Sequence, residues 1–297
     1  MLPELPLDKW ESSKNTLHLF LQIVGKIRMA LFPKMNHWWH VPLYVSCRGL
    51  TTRPIPYDER MFDISFDFID HQLQISCSDG RSESFSLQGQ SVASFYQSLF
   101  DILNTLDIRV SIIAKPYDVS FSTIPFAEDT QHASYDPVWI EKYWQTMSFV
   151  NSTFEEFRGR FVGKSTPVHL FWHHADLALT RFSGNKGPVM EGRSKADQEA
   201  YSHEVISFGF WVGDEVVREP AFYAYMYPEP ENLTDEKLKP GAAHWNTDFG
   251  YSMAFLPYET VRTDNKPQQI LLTFLQNAYE VCAKRAHWDI ERFKLAG

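Results

Sequence analysis

The 297-residue chain is poor in cysteine, in positive charge and in long apolar runs, and each shortage closes off a class of function. Its three cysteines, Cys47, Cys77 and Cys282, are widely spaced with no Cys-x-x-Cys pair. That argues against a disulfide scaffold and suits reduced, mostly buried thiols in a cytosolic protein. With 28 basic against 37 acidic residues the formal net charge is -9. Such a chain lacks the basic surface that nucleic acid or an anionic membrane would require. The longest apolar stretch, 17–32, is interrupted by Gln22, Lys26 and Arg28 and is too short and polar to span a bilayer. The first residues do not follow the basic-then-apolar order of a signal peptide. A soluble, cytoplasmic protein with no membrane or nucleic-acid partner is expected. Fingerprints of chemistry are missing as well. No Gly-x-Ser-x-Gly elbow, phosphate-binding Gly-x-x-x-x-Gly-Lys loop, Gly-x-Gly-x-x-Gly turn or His-Glu-x-x-His pair occurs, so nucleotide and dinucleotide cofactors have no motif.

What is abundant is aromatic side chain, at 15% of residues. It supplies either an aromatic core or an aromatic-lined pocket. Leu17, Phe20, Leu21, Val24, Ile27 and Leu31 follow the i, i+3, i+4, i+7 spacing of an amphipathic helix, which places His18, Lys26 and Arg28 in solvent. Val41 to Leu50 reads as a strand with Cys47 facing a core. Phe62, Ile64, Phe66 and Phe68 alternate with polar residues, which places Asp63 and Asp67 on a wet sheet face. Asp79-Gly80 marks a hairpin turn. Ser91 caps a second helix and Asp136-Pro137 a third, and Pro267 opens the last. Arg109 to Ala114 reads as a short strand. The order predicts an α+β fold: a largely antiparallel sheet flanked by long amphipathic helices. The expected organisation is a single compact domain, 1–297, whose halves 1–115 and 136–297 are joined by an irregular segment, 116–135. Each half reads as helix, about four strands, helix, a pseudo-symmetry of elements rather than of residues.

The richest chemistry lies between Val168 and Trp211. Two strands, 168–182 and 203–212, carry His169, His173, His174, Asp176, Arg181, His203 and Glu204 among large apolar residues. Ionisable groups in such a run cost free energy unless they are paired, so they mark a candidate site. Alternation puts His174, Asp176 and Thr180 on one face. Glu204 falls on the face of Ile206 and Phe208, where Arg181 or His173 is the expected partner, in a structural ion pair if not a catalytic one. His174, Asp176 and His203 together supply nitrogen and oxygen donors for a divalent metal. His37, Trp39 and His40 read as aromatic packing or as one wall of a ligand pocket.

Asn36-His37-Trp38-Trp39-His40-Val41, Leu50-Thr51-Thr52, Thr180-Arg181-Phe182-Ser183-Gly184, Ser202-His203-Glu204-Val205 and Tyr227-Pro228-Glu229-Pro230 resemble an uncharacterised bacterial family of unknown function along nearly the whole chain. The resemblance implies a soluble bacterial protein and carries over no activity.

The residues themselves support a protein that binds a small molecule between the sheet and the loops 183–201 and 228–250. As an enzyme, it would use His173 or His203 as acid or base, oriented by Asp176 or Glu204. Arg181 and Arg48 would hold an anionic group, and His37, Trp39, His40, Trp211 and Tyr225 would line the pocket. A metal-dependent hydrolase or oxidoreductase built on His174, Asp176 and His203 is one alternative. A protein-interaction scaffold with an aromatic groove is the other.

Overall fold

The structure is a computed structural model and describes residues 2–295. Helix α1 (Leu7–Leu31) is longer than its apolar periodicity suggests and ends where Pro33 follows. Strands β1 (Tyr44–Val45), β2 (Gly49–Thr51), β3 (Ile55–Tyr57), β4 (Arg60–Asp67), β5 (Gln72–Cys77) and β6 (Ser82–Ser86) form an antiparallel sheet of order β1-β2-β4-β5-β6, with β3 also paired to β4. The continuous strand expected over 41–50 is instead two short strands around a turn at Ser46–Arg48, and this turn leaves Cys47 exposed. Helix α2 (Val92–Thr105) begins at the Ser91 capping box and α3 (Pro137–Gly159) at the Asp136 cap. The segment between them is irregular apart from a short turn of 3-10 helix, and 109–114 forms no strand.

The second sheet comprises β7 (His169–Phe171), β8 (Asp176–Lys186), β9 (His203–Trp211), β10 (Ala221–Tyr227), β11 (His244–Asn246) and β12 (Met253–Pro257), in the antiparallel order β11-β12-β10-β9-β8-β7. A short helix, α4 (Lys195–Ala200), lies in the loop before β9. Helices α5 (Tyr258–Arg262) and α6 (Pro267–Arg285) close the chain. The two sheets meet edge to edge. Leu43, beside β1, and Leu170 in β7 exchange backbone hydrogen bonds of 2.9 and 2.8 Å. The chain is thus α+β with antiparallel sheets, and no helix among the described residues is long and apolar enough to cross a membrane.

One apolar cluster draws on both halves. Phe20 of α1 stacks on Phe95 of α2 at 4.0 Å, and Phe95 faces Phe66 of β4 at 6.2 Å. From the second sheet it takes Leu177, Leu179, Ile206, Phe208, Phe210 and Phe222, the face on which α3 and α6 pack.

Helix α1 is buried on nearly all sides, which corrects the expectation that its polar residues are solvated. His18, Lys26 and Arg28 are buried. His18 Nε2 lies 3.0 Å from the backbone oxygens of both Trp172 and His173. Arg28 Nη1 donates to the Thr52 oxygen at 2.6 Å, and the Lys26 ammonium rests 5.5 Å from the Trp172 ring centroid. Backbone acceptors and ring faces replace water for these groups. Gly25 makes the Trp172 contact: a Cβ there would sit 2.1 Å from the indole. Asp67 is likewise buried rather than wet. It accepts from Arg48 Nε at 2.5 Å and from the amides of Ile69 and Asp70.

Candidate functional site

The face of the second sheet turned away from α3 and α6 gathers the chemistry. Its side chains follow from strand register. Asp176 begins β8 and lies opposite Phe171 of β7. Ala178 pairs with Gly209, and Gly209 with Tyr223. Thr180 pairs with Ser207, and their hydroxyls are 2.8 Å apart. Ser207 pairs with Tyr225, and Tyr223 with Phe255 of β12.

Gly209 shapes this surface. A Cβ at that position would fall 2.1 Å from the Tyr223 ring, so the bare strand lets the phenol lie flat across it. The phenol then reaches Asp176, and Tyr223 Oη donates to Asp176 Oδ2 in a short hydrogen bond. The other carboxylate oxygen, Oδ1, is buried with no partner. Burial raises the carboxyl pKa above its ordinary value, against smaller opposing effects of His174 and of the Tyr223 hydrogen bond. Burial and the Asp176 carboxylate likewise hold the Tyr223 phenol protonated well beyond pH 10.

Tyr225 stacks beside Tyr223 with ring centroids 6.0 Å apart. It shares a 2.8 Å hydroxyl–hydroxyl hydrogen bond with Tyr201, which follows α4. Trp211 packs on Phe249 and Phe255, and Tyr251 meets the edge of Tyr225 at 5.6 Å. Tyr201 from loop 187–202 and Phe249 and Tyr251 from loop 228–252 therefore pack onto this face beside Asp176 and Tyr223.

A second group sits at the far end of β8 and β9. His37, in a left-handed backbone conformation, packs its ring 4.8 Å from Phe182 and 5.4 Å from both His203 and Trp39. Lys164 Nζ donates to His37 Nε2 at 2.7 Å. This fixes the neutral tautomer with its proton on Nδ1, which donates to the Ala200 carbonyl at 3.3 Å. Burial and Lys164 hold the His37 pKa below its usual value.

The structure brings together Asp176, Trp211 and Tyr225 in one place, and His37, Trp39 and His203 in another. His40 is buried beside Trp38, and its Nδ1 accepts from the Met35 amide. The strand expected over 168–182 is a hairpin: Trp172 to Ala175 form its turn, with Ala175 at φ 55. His173 and His174 therefore leave the sheet. His173 packs against Phe171 and Trp172 and is held neutral by burial, its pKa pushed down to about 3. His174 is exposed and bonds Asp118 at 3.0 Å. His203 lies opposite Lys186, at the other end of β8 from Asp176, so His174, Asp176 and His203 do not form the expected metal trio. No group of three His, Cys, Asp or Glu side chains able to hold a metal ion occurs among the described residues.

The expected Glu204–Arg181 pair is not made either. Register sets Arg181 opposite Ile206. Its guanidinium points into the core, 3.6 Å from the Phe157 ring centroid and 4.6 Å from that of Tyr279, and donates to the Phe157 carbonyl. Burial lowers its pKa to about 9. Glu204 instead accepts from Ser183 Oγ at 2.6 Å and Asn185 Nδ2 at 3.2 Å. Arg48 lies in the first half, engaged by Asp67 and Asp70. Tyr223, Tyr201 and Lys164 were not singled out from sequence. The alternation of Tyr223 with Tyr225 was the available signal for the first, and no local pattern marks the other two. An open depression of about 490 Å³, lined by Phe149, Glu156, Gln268 and Leu272 among others, lies away from both groups and gathers no comparable cluster of buried ionisable side chains.

Fold and site define an antiparallel α+β protein whose second sheet carries a tyrosine-rich face around a buried carboxylate. The chain belongs to DUF5996, a family of unknown function, whose model matches residues 2–295. No curated protein and no solved structure matches it.

Proposed function

We propose that this protein binds a small organic molecule bearing a nitrogen that donates hydrogen bonds, on the tyrosine face of the second sheet. The observation that carries the reading is Asp176. One of its oxygens takes the Tyr223 hydroxyl, while the other is buried and partnerless. A buried acceptor without a donor costs about 1–3 kcal/mol, and a ligand N–H removes that cost. The rings of Tyr223, Tyr225 and Trp211 beside it suit an organic cation or a flat amine, because aromatic faces attract positive charge. Tyr251, exposed at the rim, marks the side from which such a ligand enters. Binding rather than catalysis is the reading, since the histidines that would act as acid or base lie at the opposite end of the strands or outside the sheet.

Calorimetric titration with a panel of primary amines and guanidines tests it, with quaternary ammonium compounds, which carry no N–H, as the comparison. Binding by wild type that drops at least about tenfold in Asp176→Asn, roughly the loss of one charge-assisted hydrogen bond, supports the reading. An unchanged affinity in Asp176→Asn, or no binder in the panel, counts against it.

A further inference from the structure

We propose that the seam between the two sheets is an oxyanion-binding site, built from Arg28, Arg53 and His169 around the ring of Tyr44. The Leu43–Leu170 bridge makes the seam. On either side of it Tyr44 and His169 face each other, their rings 6.4 Å apart and nearly perpendicular. Both are buried, His169 completely.

Two guanidinium groups converge on the same ring. Arg53 lies over it, 3.6 Å from the centroid, and Arg28 lies 5.6 Å away. Arg53 adopts a left-handed backbone conformation, φ 56. Its amide bonds Thr51 Oγ1 at 2.9 Å, and its carbonyl accepts from Thr52 Oγ1 at 2.8 Å. The loop thus holds the arginine over the phenol.

The groups left over in this cluster are the signature of a missing partner. Arg28 is 2% exposed and His169 0%, yet Arg28 Nε and both ring nitrogens of His169 are buried with no hydrogen-bond partner. Neither arginine forms an ion pair among the described residues. In a chain of net charge -9, two guanidinium groups converging on one ring with no carboxylate paired to either run against the background. Buried charge is retained at low cost only when an opposite charge meets it. A guanidinium fork fits the two oxygens of a carboxylate or phosphate, and a second guanidinium with an imidazole N–H supplies the remaining donors. Arg53, exposed at the rim, is the entry side.

The seam does not depend on the tyrosine face. His169 and Tyr223 are separated by the width of β8 and β9, roughly 14 Å at about 4.8 Å per strand step, so the two readings stand or fall apart. The test is a thermal-unfolding and calorimetric titration of the whole chain with inorganic phosphate and, separately, acetate, each against sodium chloride at matched ionic strength. Saturable binding of either oxyanion is expected. Arg53→Ala, a change at an exposed side chain, weakens it about tenfold or more, as loss of a charge-assisted contact does, while Tyr223→Phe leaves it intact. The oxyanion that binds more tightly identifies the head group. No binding of either oxyanion beyond chloride, or equal binding by wild type and Arg53→Ala, overturns the proposal.

Discussion

Three histidines held neutral by burial, His18, His169 and His173, make the protein acid-sensitive over a range where most carboxylates do not yet titrate. His18 and His169 are 6% and 0% exposed. Burial pushes the pKa of each from 6.5 down to about 3, aided by Lys14 at His18 and by Arg53 and Arg28 at His169. A folded pKa below the unfolded one means that the unfolded chain binds the proton first. Stability is therefore full above about 6.5 and falls as pH drops toward 3, with a limiting slope of about 1.4 kcal/mol per pH unit per group. Between pH 7 and pH 5 each histidine costs about 2 kcal/mol, so His18 and His169 together cost about 4 kcal/mol and the half-buried His173 adds up to about 2 kcal/mol more. That is a large part of the 5–15 kcal/mol typical of a folded protein. Most carboxylates, with pKa values near 4, contribute little above pH 5. Asp176, whose pKa burial raises, acts in the opposite direction, and it is common to wild type and His169→Phe, so their difference isolates the histidine. The assay is urea unfolding at both pH values in chloride buffers free of phosphate and acetate. His169→Phe sharpens it. Removing one of the three histidines should cut the pH-dependent loss by about a third. Because neither ring nitrogen has a partner, the variant should also gain about 1–3 kcal/mol at pH 7. A wild-type loss under about 1 kcal/mol, or an identical loss in His169→Phe, would refute the reasoning.

Three further outcomes follow from particular contacts. Gly209→Ala places a methyl 2.1 Å from the Tyr223 ring. The ring must leave Asp176 at a cost of about 1–3 kcal/mol, seen as a lower urea midpoint, and an unchanged midpoint would show that the ring does not lie across the strand. Gly25→Ala should destabilise by a similar amount although alanine favours helix by about 1 kcal/mol, because its Cβ meets Trp172 at 2.1 Å; a higher melting temperature would contradict this. The Asp176 carboxyl has its pKa raised by burial from 3.8. Its contribution is therefore most favourable below that value and declines as pH rises through the folded pKa. Relative to wild type, Asp176→Asn should gain stability between pH 4 and pH 8, and parallel pH profiles for the two proteins would count against a raised pKa.

The sequence was most legible where local rules agree with tertiary structure. The Ser91 and Asp136 caps, the Asp79-Gly80 turn and the alternation of β4 all reappear, because each is decided by neighbouring residues. The face shared by Asp176 and Thr180 was also readable from a period of two. What failed depended on distant chain. His18, Lys26 and Arg28 read as solvated because helical spacing cannot report that the loop at Thr52, the segment at Tyr117 and the turn at Trp172–His173 cover the polar side of α1. Reading 168–182 as one strand missed the turn at Trp172–Ala175, where Ala175 adopts a positive φ that no glycine or asparagine announces. That single turn moved His173 and His174 off the sheet and set His169 opposite Tyr44. The basic cluster at the seam was invisible for the same reason: Arg28, Arg53 and His169 are far apart in sequence and meet only when the sheets join.

The bridge between Leu43 and Leu170 also has a bearing on biosynthesis. Every strand of the first sheet lies before residue 87, whereas the strand that covers its β1 edge is made much later. On the ribosome the first half therefore carries an open edge, able to pair with another nascent chain, until β7 arrives. Both strands at the seam are very short, so the interval during which such an edge can recruit the wrong partner is coupled with a surface too small to hold it firmly.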